Sequence, residues 1–210
     1  MKNNRKTVQE HAVSPVVGVM LMLVVTIIIA AVVSAFAGGM GSGAQKAPQA
    51  SIEVKIDSAA DNTMGSSSTV MTFTELSGDP IQTKDLAIIT YYKNKAGKTY
   101  KNKQTITSPA TVLYSYHTNT PTRVPFLNDM RSGYNYDNPA TMDFGNFTWK
   151  TGGILSTGTT AGTASLLAIN STAIPATIAD NDFGPGSIVD VKILHIPSGQ
   201  YIFNKEVIVQ

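Results

Sequence analysis

Hydrophobic and polar positions follow two regimes along this chain, and they change over near residue 45. Residues 13–45 contain no Asp, Glu, Lys, Arg or His. Within them Val16–Ala37 is a run of 22 residues with nothing more polar than Thr26 and Ser34. Such a run predicts a helix roughly 33 Å long at about 1.5 Å per residue, enough to cross a hydrocarbon layer of about 30 Å. Its start is marked by Ser14, a capping residue, and Pro15, whose missing amide proton costs nothing at the first helical position. Gly38-Gly39-Met40-Gly41-Ser42-Gly43 marks its end, because successive glycines sustain a helix poorly, and reads as a linker over 38–45.

Beyond the glycines the period changes to two. Ile52, Val54 and Ile56 alternate with Glu53, Lys55 and Asp57, the pattern of a half-buried strand. Further strands are predicted at Thr69–Leu76, Leu86–Tyr92 and Thr111–Tyr116, with turns at Ser77-Gly78-Asp79-Pro80 and Asn94-Lys95-Ala96-Gly97; the second returns through Thr99 and Tyr100. Near the C-terminus, Ile188–Ile196 and Tyr201–Val209 flank Pro197-Ser198-Gly199 and form a hairpin pattern. Residues 117–182 are poorly patterned, and no amphipathic helix is evident after residue 45. The fold class predicted is α+β: a long N-terminal hydrophobic helix, then an antiparallel β-sandwich head of immunoglobulin-like size over 46–210.

Charge adds one restriction. The formal net charge of +2 comes from Lys2, Arg5 and Lys6 against Glu10; without residues 1–12 the chain holds 13 bases and 13 acids. A globally basic nucleic-acid binder is not indicated. No cysteine is present, so disulfides and thiolate chemistry are excluded. The short basic tail before the apolar run favours an N-in orientation, with the head outside.

Three fates are open to the apolar segment. A secretory signal peptide would be cut after Ala35-Phe36-Ala37, but the run exceeds the usual 7–15 residues of such a core. A plain membrane anchor would be retained uncut. A third possibility is cleavage on the cytoplasmic side with the helix kept. Ala30 and Ser34 form one small-residue row leading to Gly38, and Ala31 and Ala35 form another leading to Gly39, which allows close approach of helices.

The order Glu10-His11-Ala12 followed by Val13-Ser14-Pro15-Val16-Val17-Gly18-Val19-Met20-Leu21-Met22 resembles the N-terminal region of archaeal type IV pilins. The likeness covers about residues 5–40. It implies a leader over 1–12, prepilin-peptidase cleavage between Ala12 and Val13, and a helix over 13–37 in which Pro15, Gly18, Ala30, Ala31, Ser34 and Ala35 serve membrane and filament packing. It also implies other copies or related pilins as partners, an assembly platform with its ATPase, and a surface filament serving adhesion or cell–cell contact. Two positions depart from the wider type IV pattern. Val17 stands where many bacterial pilins carry a glutamate, and His11 lies two residues before the cut. The terminal hairpin and the Ser-Gly-Asp-Pro-Ile turn also resemble archaeal pilin heads, more loosely.

Catalytic chemistry finds little footing. Among the histidines, His195 alternates with Val189, Val191 and Ile193 as a core or edge residue, and His117 sits in a Thr/Asn-rich stretch. Asn135–Asn138 and Asp180–Asp182 are oxygen-rich but lack full calcium-loop spacing. No enzyme activity, cofactor or metal is expected. Asn146-Phe147-Thr148 and Asn170-Ser171-Thr172 fit the N-glycosylation acceptor pattern. Lys93, Lys95, Lys98, Lys101 and Lys103, beside Tyr91, Tyr92 and Tyr100, read first as a charged hairpin that discourages strand-edge pairing, and second as a contact for anionic surfaces. The rival to a filament subunit is a membrane-anchored binding module that never polymerises; an exported hydrolase is more remote.

Overall fold

The computed structural model describes residues 15–40, 45–61, 67–110, 112–113, 121–127, 141–169 and 182–210. The leader, Val13, Ser14, the Gly41–Ala44 stretch, His117, Asn135–Asn138, Asp180, Asn181 and Asn170 lie outside the described residues. The chain divides into two compact units, Met1–Ala44 and Gln45–Gln210.

The first unit contains α1, Pro15–Met40. Helical backbone therefore continues through Gly38 and Gly39, positions the sequence assigned to the linker. Two glycines cost the last turn about 1 kcal/mol each, but extending a helix already formed over Pro15–Ala37 needs no new nucleus.

The second unit is a sandwich-like head built from two four-stranded antiparallel sheets. One sheet has the order β1 (Ala50–Asp61), β2 (Ser67–Gly78), β10 (Ile154–Ser156), β8 (Phe126–Leu127). The other runs β12 (Gln200–Ile208), β11 (Ile188–His195), β4 (Leu86–Lys93), β5 (Thr99–Gln104). Two small ladders complete the set: β3 (Ile81–Gln82) with β9 (Thr148–Trp149), and β6 (Val112–Leu113) with β7 (Pro121–Thr122).

Alternation explains why the sheets face each other. Ile52, Val54 and Ile56 on β1 pair with Glu75, Phe73 and Met71 on β2, and all six side chains are buried. From the other sheet Ile88, Val191 and Ile193 enter the same core, which also holds Trp149 and Phe144. Each strand thus supplies one apolar face, and joining the two faces removes both from water. At the end of the β1–β2 ladder Ser51 pairs with Ser77 but Ile52 with Glu75, so Leu76 is an extra, exposed residue.

One side of the sandwich is closed by the C-terminus. Val209 bridges Ile56 in parallel, Gln210 N–H donates to Ile56 O (2.9 Å), and Ser58 N–H donates to Gln210 O (2.9 Å). Between the sheets lies α2, Thr160–Leu167, an element the sequence pattern did not suggest. It is short, rich in Thr, Ala and Gly, and buried over most of its surface, so it carries no amphipathic period. Its signals are local: Thr159 Oγ1 caps it by accepting from Gly162 N–H, and Ala168 ends it in the left-handed region at φ 55°.

Polar bonds fix α2 in place. Met71 N–H donates to Thr157 Oγ1 (2.9 Å), Thr157 and Thr163 hydroxyls lie 2.6 Å apart, and Thr163 donates to Thr69 O (2.8 Å). On the opposite side Thr90 Oγ1 and Asn102 Nδ2 donate to Leu166 O (2.8 and 3.0 Å). Thus α2 is bonded to both sheets.

Candidate functional site

The segment with the clearest chemistry is α1. Every side chain from Pro15 to Phe36 is exposed, none of them charged. Thr26, one of its two hydroxyl residues with Ser34, donates its hydroxyl to Leu23 O (2.9 Å), satisfying it within the helix. Backbone polarity is likewise internal, so apart from Ser34 the outer surface is almost wholly apolar. A helix apolar around its whole circumference has no stable place in water by itself. It needs lipid or other apolar helices.

Small residues break this cylinder into ridges and hollows. Ala30 and Ser34 lie one turn apart, as do Ala31 and Ala35 on the adjacent row, and all four are exposed. At Gly18 no heavy atom lies within 4 Å of where a Cβ would stand. The fold of this chain gives no reason for glycine there.

In the head, the sequence-suggested groups are dispersed. His195 is buried at the end of β11, its Nδ1 2.8 Å from Ser198 Oγ in the following turn. The same hydroxyl donates to His195 O (3.3 Å) and accepts from Gln200 N–H (3.2 Å). This is a turn contact, and among the described residues no carboxylate hydrogen-bonds to the imidazole. A pocket of about 290 Å³ beside it is lined by Lys46, Asp79, Pro80, Ile81 and Asp85 among others. Asp79 Oδ2 there accepts from Gln49 N–H (3.0 Å). Among the described residues no group of three or more His, Asp or Glu side chains converges as a metal site would require.

Two charged features stand apart in the interior. Glu75 is fully buried, and neither carboxylate oxygen has a hydrogen-bond partner among the described residues. Burial pushes its pKa above the ordinary carboxyl value, and the nearby Asp79 charge adds to the rise. Sequence reasoning missed it, because a lone Glu in Thr69–Leu76 looks like any polar position in a strand. Asp143 pairs with Arg123, whose Nε also donates to Ser108 O (2.7 Å). Burial raises the Asp143 pKa, against the opposing pull of Arg123 and backbone amides.

On the surface, Asn146 is exposed in the turn between Phe144 and Thr148. The lysines occupy two faces. Lys93, Lys101 and Lys103 alternate on the outer face of β4 and β5, while Lys98 lies 4.5 Å from the ring centre of Tyr100 on the other side. Lys192 on β11 joins the outer group, bonded to Asp190 (3.1 Å), which holds its ammonium charged and raises its pKa.

No curated protein and no solved structure matches this chain. A family model does. Residues 11–52 match the archaeal type IV pilin N-terminal model, a span containing the whole of α1 and the first strand residues of the head. Over those residues the chain is similar to the N-terminal domain of archaeal type IV pilins.

Proposed function

We propose that this chain is a structural subunit of a type IV pilus-like surface filament, made as a single-pass membrane precursor with its N-terminus in the cytoplasm. A prepilin peptidase removes residues 1–12 between Ala12 and Val13. The platform and its ATPase then lift the subunit from the bilayer, and Val13–Ala37 packs against its equivalents in the filament core. Pro15 and Gly18 set the start of that packing, and the rows of Ala30, Ser34, Ala31 and Ala35 allow close helix contact. The head is displayed outward, serving adhesion or cell–cell contact, with Asn146 and Asn170 as glycan acceptors.

The observation that carries this reading is the uncharged, fully exposed helix from Pro15 to Phe36 within the pilin-like span. Lipid satisfies such a surface before assembly, and a bundle of like helices satisfies it afterwards. Contacts of this type join unlike faces of successive copies, so they propagate instead of closing. The test is mass spectrometry of the mature N-terminus in a sheared surface fraction, with electron microscopy of the same fraction. Long particles whose protein starts at Val13 are expected. A start at Gly38 overturns the proposal, and a helix-bearing protein found only in membranes as a monomer favours an anchored binding module.

A further inference from the structure

We propose that the outer face of β5, β4 and β11 is a docking surface for an anionic polysaccharide, one bearing carboxylate or sulfate groups along an extended chain. The inference needs the head to lie outside the cell, as in the reading above, but it does not need the filament.

Register brings the groups together. Tyr91 pairs with Lys101 on one side and Asp190 on the other, while Ile89 pairs with Lys103 and Lys192. Paired residues share a face, so Lys101, Lys103 and Lys192 surround Tyr91 and Ile89 on one flat surface, and Lys93 extends it toward the turn. The ammoniums of Lys101 and Lys192 lie 5.2 and 5.7 Å from the Tyr91 ring centre. Lys192 is 89 residues from Lys103 in sequence, so this convergence belongs to the sheet and not to a local cluster.

Charge is one-sided there. Residues 86–110 contain five lysines and no Asp, Glu or Arg. On this sheet face the opposing acids are Asp190, bonded to Lys192, and Glu206, its pair on β12; both lie at the β11–β12 side, away from Lys93, Lys101 and Lys103. Strands lie about 4.8 Å apart and same-face residues about 7 Å apart along a strand, so the lysines form a shallow grid, not a pocket. A grid of that kind suits an extended polyanion crossing the strands.

The aromatic rings decide against nucleic acid. Single-strand binders stack bases on free aromatic faces. Here Tyr91 lies beside two ammoniums of its own chain, and Tyr100 is stacked on Tyr92 (5.9 Å, 14°) with Lys98 4.5 Å from its centre. Ammonium groups are offered; base-stacking platforms are not.

The test uses the full chain in a neutral detergent, with binding to polygalacturonate measured at low and physiological salt. Neutral dextran, single-stranded DNA and anionic lipid vesicles are run beside it. Saturable binding to the polyuronate is expected, weakened by salt and absent with dextran. Lys101→Gln/Lys103→Gln should weaken it by at least about tenfold at low salt, and Lys192→Gln measurably alone, while Lys84→Gln/Lys150→Gln should leave it unchanged. Trp149 fluorescence during urea unfolding checks that each variant keeps its fold. Absent binding, equal loss in the two double variants, or tighter binding to DNA or vesicles overturns the proposal. None of these results bears on the filament, which is tested by the mature N-terminus.

Discussion

Ile52 and Glu75 stand opposite one another on the inward face of the β1–β2 ladder, beside the Leu76 bulge, so a carboxyl group without any hydrogen-bond partner among the described residues occupies a position built for a hydrocarbon. Burial there favours the neutral acid. The unfolded chain releases the proton near the ordinary value of 4.5, whereas the folded chain holds it to higher pH. Below that value both states are protonated and Glu75 costs nothing through ionisation. As pH rises through it, the unfolded state alone loses its proton, and stability falls until the folded carboxyl also ionises. Glu75→Gln should therefore flatten the stability profile above pH 4.5, so that its stability relative to the native protein rises from acid to neutral pH. Urea titrations read by Trp149, the chain's only tryptophan and fully buried, measure this directly. Asp143 titrates in both proteins, so the difference between them isolates Glu75.

Gly162 lies where α2 meets the loop after β10. A Cβ at that position would stand 2.0 Å from Thr157 O, a backbone atom with no room to retreat. Gly162→Ala should destabilise the head by about 2 kcal/mol or more despite alanine's better helix propensity. An unchanged urea midpoint would show that α2 does not sit so close.

Thr163 tests the polar link between helix and sheet. Replacing it with Val keeps the shape but takes the Thr163 donor from Thr69 O and leaves the Thr157 hydroxyl only its contacts with the Met71 backbone. A loss of about 1–3 kcal/mol is expected, with Thr163→Ser closer to the native protein. If Val and Ser behave alike in denaturant, the hydroxyl relay contributes nothing.

Ala31 and Ala35 separate folding from assembly. Both are exposed on α1, so Ala31→Leu/Ala35→Leu should leave the Trp149 unfolding transition of the head in place. In cells the same protein should reach the membrane yet form few or no filaments, because added bulk holds helices apart. Filaments in normal number would remove the small-residue rows from the assembly scheme.

Much of this protein is local in origin and could be read before any fold was known. The apolar helix declares itself because 22 uncharged residues in a row have one economical conformation in lipid. Strand Ala50–Asp61 and the Ile188–His195 arm of the terminal hairpin announce themselves because one buried face imposes a period of two, whereas Leu86–Lys93, buried on both faces, reads as a continuous β-branched and aromatic run. The pilin-like order around Pro15 and Gly18 is likewise a property of consecutive residues.

Other features exist only through contact between distant segments. Burial of α2 left it no amphipathic period, since both sheets cover it and its Thr, Ala and Gly residues are chosen for space and hydroxyl bonding. Glu75 reads as an ordinary polar strand residue until the β1–β2 pairing places it with Met71 and Phe73 on the inward face, opposite Ile52. Lys192 joins Lys101 and Lys103 only when β11 lies against β4, because register and not sequence distance determines which charges share a face. Sequence by itself determined the helix and the alternation of the strands, since both follow from nearest-neighbour periodicity in water or lipid. Tertiary structure decided which polar groups are stranded inside and which lysines converge outside, because those depend on the long-range pairing of strands far apart in the chain.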